Sequence, residues 1–225
     1  MDKAAITPED KAGFGEASFE EVSSEDANLE NEELRAAPRF TLLIRAAKLV
    51  APHGEFVCVI RDVSETGVSV RLFHGLPSGD PLELHMPSSA VYELRNVWER
   101  DNEAGFEFIK PVDVTRLINE AGEYPKRGLR LGLCFPVTVS TLTQRCEAVI
   151  ENFSQQGARF ECDGLFAIDQ GLRIESLDGN PEFGEVRAKV RWRRDRQYGV
   201  VFDDTFTLGD FARLAARLQA PSLLD

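Results

Sequence analysis

The chain has 225 residues, 43% hydrophobic and 28% charged, with a net charge of −12, which suits a globular protein with one sizeable core or two smaller ones. No apolar run approaches the roughly 18 residues of a membrane-spanning helix, and no basic, apolar leader opens the sequence. A cytoplasmic location without membrane insertion is therefore the expectation, and the acidity argues against nucleic-acid polymers, which need a broad basic surface.

The charge is concentrated at one end. Residues 1–33 hold eleven acids and two lysines, −9 of the total. They are rich in Glu, Ser, Ala and Asp, too poor in large apolar groups to offset chain entropy, and read as a disordered acidic tail with a short helix near 30–34 at most. From Arg39 the texture changes. FTLLIRAAKLV (40–50) runs to a turn at Pro52, His53 and Gly54; FVCVIRDVS (56–64) to a turn at Glu65, Thr66 and Gly67; then come VSVRLF (68–73), LELHM (82–86), YELRNVWER (92–100) and GFEFI (105–109). Short β-type runs with turn signals about every ten residues predict an antiparallel barrel or sandwich. A short helix is expected over 113–121, ended by Gly122 and Pro125.

The same order then restarts with LGLCFPVTV (131–139), CEAVIENFS (146–154), a turn at Gln155, Gln156 and Gly157, ARFEC (158–162), GLRIESL (171–177), EVRAKVRWRR (185–194) and YGVVF (198–202). An amphipathic helix over 209–219, with Phe211, Leu214, Ala215 and Leu218 at helical spacing, closes the second unit. Three anchors recur in order at near-equal spacing. Arg39 precedes Asp62 by 23 residues and Arg130 precedes Asn152 by 22; the hexapeptide starting at Asp62 matches that starting at Asn152; Trp98 and Trp192 each stand seven residues before a glycine, Gly105 and Gly199. The chain is thus read as a duplication with a boundary near 122–125.

The cysteines (Cys58, Cys134, Cys146, Cys162) are too widely spaced for zinc-type pairing, no metal is expected, and in the cytoplasm the thiols are expected reduced. The histidines form no constellation. With no nucleophile elbow, phosphate loop or base–orienter pair, no enzyme activity is expected.

Chemistry gathers in the first unit at Arg35, Arg39, Asp62, Ser64 and Gly67. Two guanidiniums four residues apart can fork onto phosphate oxygens and stack on a purine face. Pro38 restrains the segment that carries them. The Asp62 carboxylate can accept from the N–H edge of a guanine. Ser64 offers a hydroxyl, and Gly67 would permit a positive φ in the turn. The plainer readings are surface charges paired with Glu32 or Glu33, and an Asx-type turn cap at Asp62. Trp98 and Trp192 read as core or barrel-wall residues. Arg191, Arg193, Arg194 and Arg196 form a basic patch, read as a solvated strand face with alternating members on one side.

RxxxR followed some two dozen residues later by [DN]xSxxG, within RDVSETGVSVRL and ahead of a Trp…Gly-Phe strand pair, resembles the PilZ domain family. The resemblance covers about 34–121 well and 125–218 more weakly. It implies a mainly β fold: two six-stranded antiparallel β-barrels in tandem, each with a C-terminal helix, behind the acidic tail. The units would be the tail at 1–33, a first domain at 34–122 with the intact motif, and a degenerate second at 123–225. It also implies a cyclic di-GMP receptor with no other cofactor, held by Arg35, Arg39, Asp62, Ser64 and Gly67. Such a receptor would pass second-messenger level to an unknown protein partner by a conformational change, in control of motility, biofilm or exopolysaccharide, and a homodimer is compatible with this expectation. The second unit departs from the pattern. Lys126 stands where Arg35 would, with Arg130, Asn152, Ser154 and Gly157 following, and a lysine lacks the planar fork; a second, weaker site would use these five. The alternative function is a nucleotide-independent protein-interaction adaptor.

Overall fold

The computed structural model describes residues 40–79, 81–119, 128–177 and 183–224. The acidic tail, the helix expected near 30–34, and the Arg35, Arg39 and Lys126 side chains lie outside the described residues.

The first barrel comprises β1 (Phe40–Ala51), β2 (Gly54–Val63), β3 (Gly67–Arg71), β4 (Leu82–His85), β5 (Val91–Arg100) and β6 (Glu103–Phe108), followed by α1 (Val114–Asn119). Its strands close in the order β1-β2-β3-β6-β5-β4, with β1 pairing β4. Closure leaves no unpaired sheet edge. Alternating residues turn Leu49, Phe56, Cys58, Ile60, Val68, Val70, Leu84 and Phe106 into one core, on which Leu117 of α1 packs.

The second barrel comprises β7 (Arg130–Leu131), β8 (Phe135–Ser140), β9 (Arg145–Ser154), β10 (Gly157–Cys162), β11 (Gly171–Ser176), β12 (Glu185–Arg194) and β13 (Gln197–Phe202), then α2 (Leu208–Gln219) and a 3-10 turn, Pro221–Leu224. Six strands run β10-β13-β12-β11-β8-β9 and the β9–β10 pairing closes the ring. β7 is the detached first piece of the strand corresponding to β1. Leu131 pairs with Phe153 as Phe40 pairs with Val63. The irregularity between Thr41 and Arg45 in β1 has become a complete break around Gly132.

The repeat extends to individual main-chain bonds. Phe108 N donates to Thr66 O and Phe202 N to Gln156 O, both at 2.9 Å. Val112 N donates to Glu65 O at 2.9 Å and Phe206 N to Gln155 O at 3.0 Å. Each helix also starts alike: Arg116 N bonds Asp113 Oδ1, and Asp210 N bonds the Thr207 hydroxyl, the side-chain cap that a helix start needs.

The two helices differ in reach. α2 buries Phe211, Ala212, Leu214 and Ala215 in the second core, yet Ala216 on the same helix belongs to the first. Val57 of β2 packs in the opposite sense, into the second core. Gln219 at the end of α2 accepts from Glu55 N and donates to Glu55 O, each at 2.8 Å. Gly75 N donates to Leu223 O at 2.7 Å. The last turns of the chain thus rest on the first barrel.

Candidate functional site

The β2–β3 hairpin brings Asp62, Ser64 and Gly67 together. Ser64 N donates to Gly67 O at 2.8 Å, and Gly67 N donates to Ser64 Oγ at 3.1 Å. Ser64 is buried, so its hydroxyl acts first as a strut of the turn. Asp62 is half-buried, and its carboxylate accepts the hydroxyl proton of Ser69, its cross-strand partner. Between Ile60 and Asp62 the register slips by one residue. Such a β-bulge twists the strand locally and re-aims the side chains beside it.

The reason for glycine differs from the expected one. Among the described residues, neither Gly67 nor Gly157 has a positive φ. A Cβ at Gly67 would stand 2.8 Å from Phe106 O, and one at Gly157 only 2.1 Å from Val200 O. Close approach of the neighbouring strand, not turn handedness, demands the missing side chain.

The β9–β10 hairpin repeats the arrangement with different chemistry. Ser154 Oγ donates to Gly157 O at 2.9 Å. Arg130 on β7 pairs in register with Ser154, and Asn152 with Arg159. The register again slips one residue ahead of the motif, here at Glu151, whose carboxylate holds Arg159 at 2.9 Å and accepts from Gln197 Nε2 at 3.2 Å. A concave site of about 430 Å³ is lined by Arg130, Asn152, Ser154, Gly157, Arg159, Arg191 and Trp192. Arg191 reaches Asp169 at 3.3 Å.

The tryptophans are wall residues, on the outer face. Trp98 lies across Gly105, and Trp192 across Gly199, in register; a Cβ on either glycine would meet the indole Nε1 at 1.9 Å. They remain 38% and 43% exposed, so an indole surface is open beside each hairpin. Register slips at Val97 and Arg191 precede them. Arg191, Trp192, Arg193 and Arg194 are all exposed, as a solvated strand face requires, and Arg191 lines the same concavity as its neighbour Trp192.

The structure therefore unites Asp62, Ser64 and Gly67, and separately Arg130, Asn152, Ser154 and Gly157. Sequence reasoning missed Arg159 and Arg191 as members of the second site. Arg159 follows Gly157 by two residues, the period that returns a strand residue to the same face. Arg191 had no such signal, because a bulge sets its direction. Three guanidiniums, of which Arg159 and Arg191 are paired with Glu151 and Asp169, a carboxamide and an indole edge line this concavity, a set of groups chemically able to meet an anion and a flat ring. Among the described residues, no group of His, Cys, Asp or Glu is placed to hold a metal ion, and no helix is long and apolar enough to cross a membrane.

Two successive closed barrels with this hairpin frame define a duplicated β-barrel protein. The PilZ domain family model matches residues 33–120 and again 126–219, so the chain belongs to the PilZ domain family, with two copies in tandem. Solved structures similar to the chain include the PilZ domain of CeSA from a cellulose-synthesizing bacterium, 18% identical over 42% of this chain and 97% of that one, with a TM-score of 0.30. Also similar are Borreliella burgdorferi PlzA in complex with c-di-GMP (12% identity, 87% and 99% coverage, TM-score 0.31) and the Bacillus subtilis inhibitor of motility MotI/DgrA (13%, 79% and 96%, TM-score 0.33). No curated protein matches the chain.

Proposed function

We propose that the chain is a cyclic di-GMP receptor whose first domain, 34–122, carries the principal site. The observation that carries this reading is the Asp62–Gly67 hairpin of a PilZ-family barrel, with a half-buried carboxylate held at the bulge and an RxxxR pair ahead of β1. Arg39 immediately precedes Phe40, whose register partner is Val63, between Asp62 and Ser64. Arg35 and Arg39 would take the phosphates and guanine faces, Asp62 the guanine N–H edge, and Ser64 and Gly67 the shape of the turn.

In the second domain, 123–225, Lys126, Arg130, Asn152, Ser154 and Gly157 would form the weaker site, with Arg159 and Arg191 supplying the forked donors that Lys126 lacks. The output is a conformational change read by a protein partner, in motility, biofilm or exopolysaccharide control. Ligand binding shifts such an equilibrium only through unequal affinity for its two states.

Calorimetric titration of the full chain with cyclic di-GMP tests this. Micromolar or tighter binding is expected in the first phase, which Arg35→Ala or Arg39→Ala should abolish. Arg159→Ala should weaken only the second phase, by about tenfold or more, the worth of a charged hydrogen bond. No binding by the intact protein would overturn the receptor reading, and recovery of one protein partner with and without nucleotide would favour the adaptor.

A further inference from the structure

Two of the four cysteines face each other on the strands that close the second barrel. Cys162 ends β10 opposite Ala148, so Cys146, two residues earlier on β9, is its diagonal neighbour on the same face. Both sulfurs converge on Gly164. Cys146 Sγ lies 2.8 Å from where a Cβ on that glycine would stand, and Cys162 Sγ is 3.7 Å from its carbonyl oxygen. Both thiols therefore lie on one side of the β9–β10 pair, over the same glycine. Cys146 is half-exposed, whereas Cys162 is buried. The other two are differently placed: Cys58 is buried in the first core with its thiol toward Ala47 O, and Cys134 is exposed between β7 and β8.

We propose that Cys146 and Cys162 are a reversible redox pair, which a hydroperoxide converts to a disulfide that staples β9 to β10. Cys146 is the thiol an oxidant can reach. Its thiolate attacks the outer oxygen of the hydroperoxide, the O–O bond breaks, and the alcohol (water, from hydrogen peroxide) leaves with a proton from solvent, giving the sulfenic acid. The Cys162 sulfur then attacks the Cys146 sulfur. The S–O bond breaks, and the departing hydroxide takes the Cys162 proton and leaves as water. Two thiols lose two electrons in all, and the peroxide gains them. Desolvation by burial, the largest cause, pushes the Cys162 thiol up to about 12, which keeps it protonated and protects it from direct oxidation.

A disulfide holds the sulfurs at about 2.05 Å and the two Cα atoms within about 7 Å, whereas diagonal strand neighbours start about 7–8 Å apart, so the backbone must close slightly. β10 ends at Cys162 and Gly164 has no side chain, so the movement falls on a strand end rather than inside a ladder. The closed loop would contain Asn152, Ser154 and Gly157, so the staple would hold both strands of the second hairpin.

The test treats the full chain with hydrogen peroxide, blocks remaining thiols, and maps peptides by mass under non-reducing conditions. A Cys146–Cys162 peptide is expected, with loss of two hydrogens, a raised melting temperature, and reversal by dithiothreitol. Cys146→Ser should abolish the crosslink; if that variant does not fold, the wild-type peptide map decides alone. Recovery of both cysteines as free thiols, of Cys146 as sulfinic acid beside free Cys162, or of a crosslink only through Cys134, would overturn the proposal.

Discussion

Replacing Gly199 with alanine would place a methyl carbon 1.9 Å from Trp192 Nε1, and Gly105→Ala would do the same to Trp98. Each indole would have to leave its strand, and a loss of about 1–3 kcal/mol is expected from overpacking. Fluorescence should report it as a red shift, with a lower urea midpoint. The chain has only these two tryptophans. Trp98→Phe therefore leaves Trp192 as a probe of the second hairpin alone, and Trp192→Phe does the reverse. On the proposed function, cyclic di-GMP should quench both single-tryptophan proteins, at lower concentration in the one retaining Trp98.

His74 gives a second prediction at this scale. It is buried against Phe56, with ring centroids 5.2 Å apart, and its Nδ1–H donates to Gly75 O at 2.7 Å while Nε2 has no partner. Burial, the larger cause, lowers its pKa below the usual 6.5, and the Gly75 bond opposes this in part. The unfolded chain therefore binds more protons once pH falls through 6.5, and stability falls from there toward the folded pKa. Urea midpoints between about pH 7.5 and about pH 5.5 should decline, and His74→Leu should flatten that slope.

At the scale of elements, the hairpin is the part of the duplicated domain that carries the motif, and Phe153 is the pin of the second copy. It stands between Asn152 and Ser154 and meets Phe135, Phe183, Phe202, Phe206 and Phe211 with ring centroids 5.4–6.1 Å apart. Phe153→Ala should cost about 3–5 kcal/mol, measurable by denaturant unfolding, with collapse of the Arg130–Arg159 cavity. Much of this was legible in the sequence. The turn residues, the alternating runs and the α2 pattern are local signals, and they located both hairpins and a helix within one residue of 208–219. What stayed hidden depends on pairing. A bulge at Glu151 or Arg191 leaves no local mark, yet it decides that Arg159 and Arg191 share one cavity. Gly67 was legible as necessary but not as to why, because the atom it avoids belongs to a strand nearly forty residues away.

For the whole molecule, the joint between barrels is the feature that the periodicity of α2 could not disclose. An amphipathic pattern says that one face is buried, not against what. Here the face is divided: Phe211 and Leu214 serve the second core and Ala216 the first, and Gln219 makes two bonds to the Glu55 backbone. Glu55 in turn accepts from Gly132 N at 2.7 Å and pairs with Lys48 at 3.0 Å. Gln219→Ala leaves the Glu55 N–H without that acceptor and should lower stability by about 1–3 kcal/mol. Faster hydrogen exchange at Glu55 and Gly75 would mark the loosened joint.

Separating the repeats at their sequence boundary would not yield two equivalent proteins. The half bearing the intact motif would lose Ala216 and the Leu223 carbonyl that receives Gly75 N–H, though both are encoded about a hundred residues beyond the cut. Duplication supplied two copies of one architecture, and the shared last helix has since made each the other's missing wall.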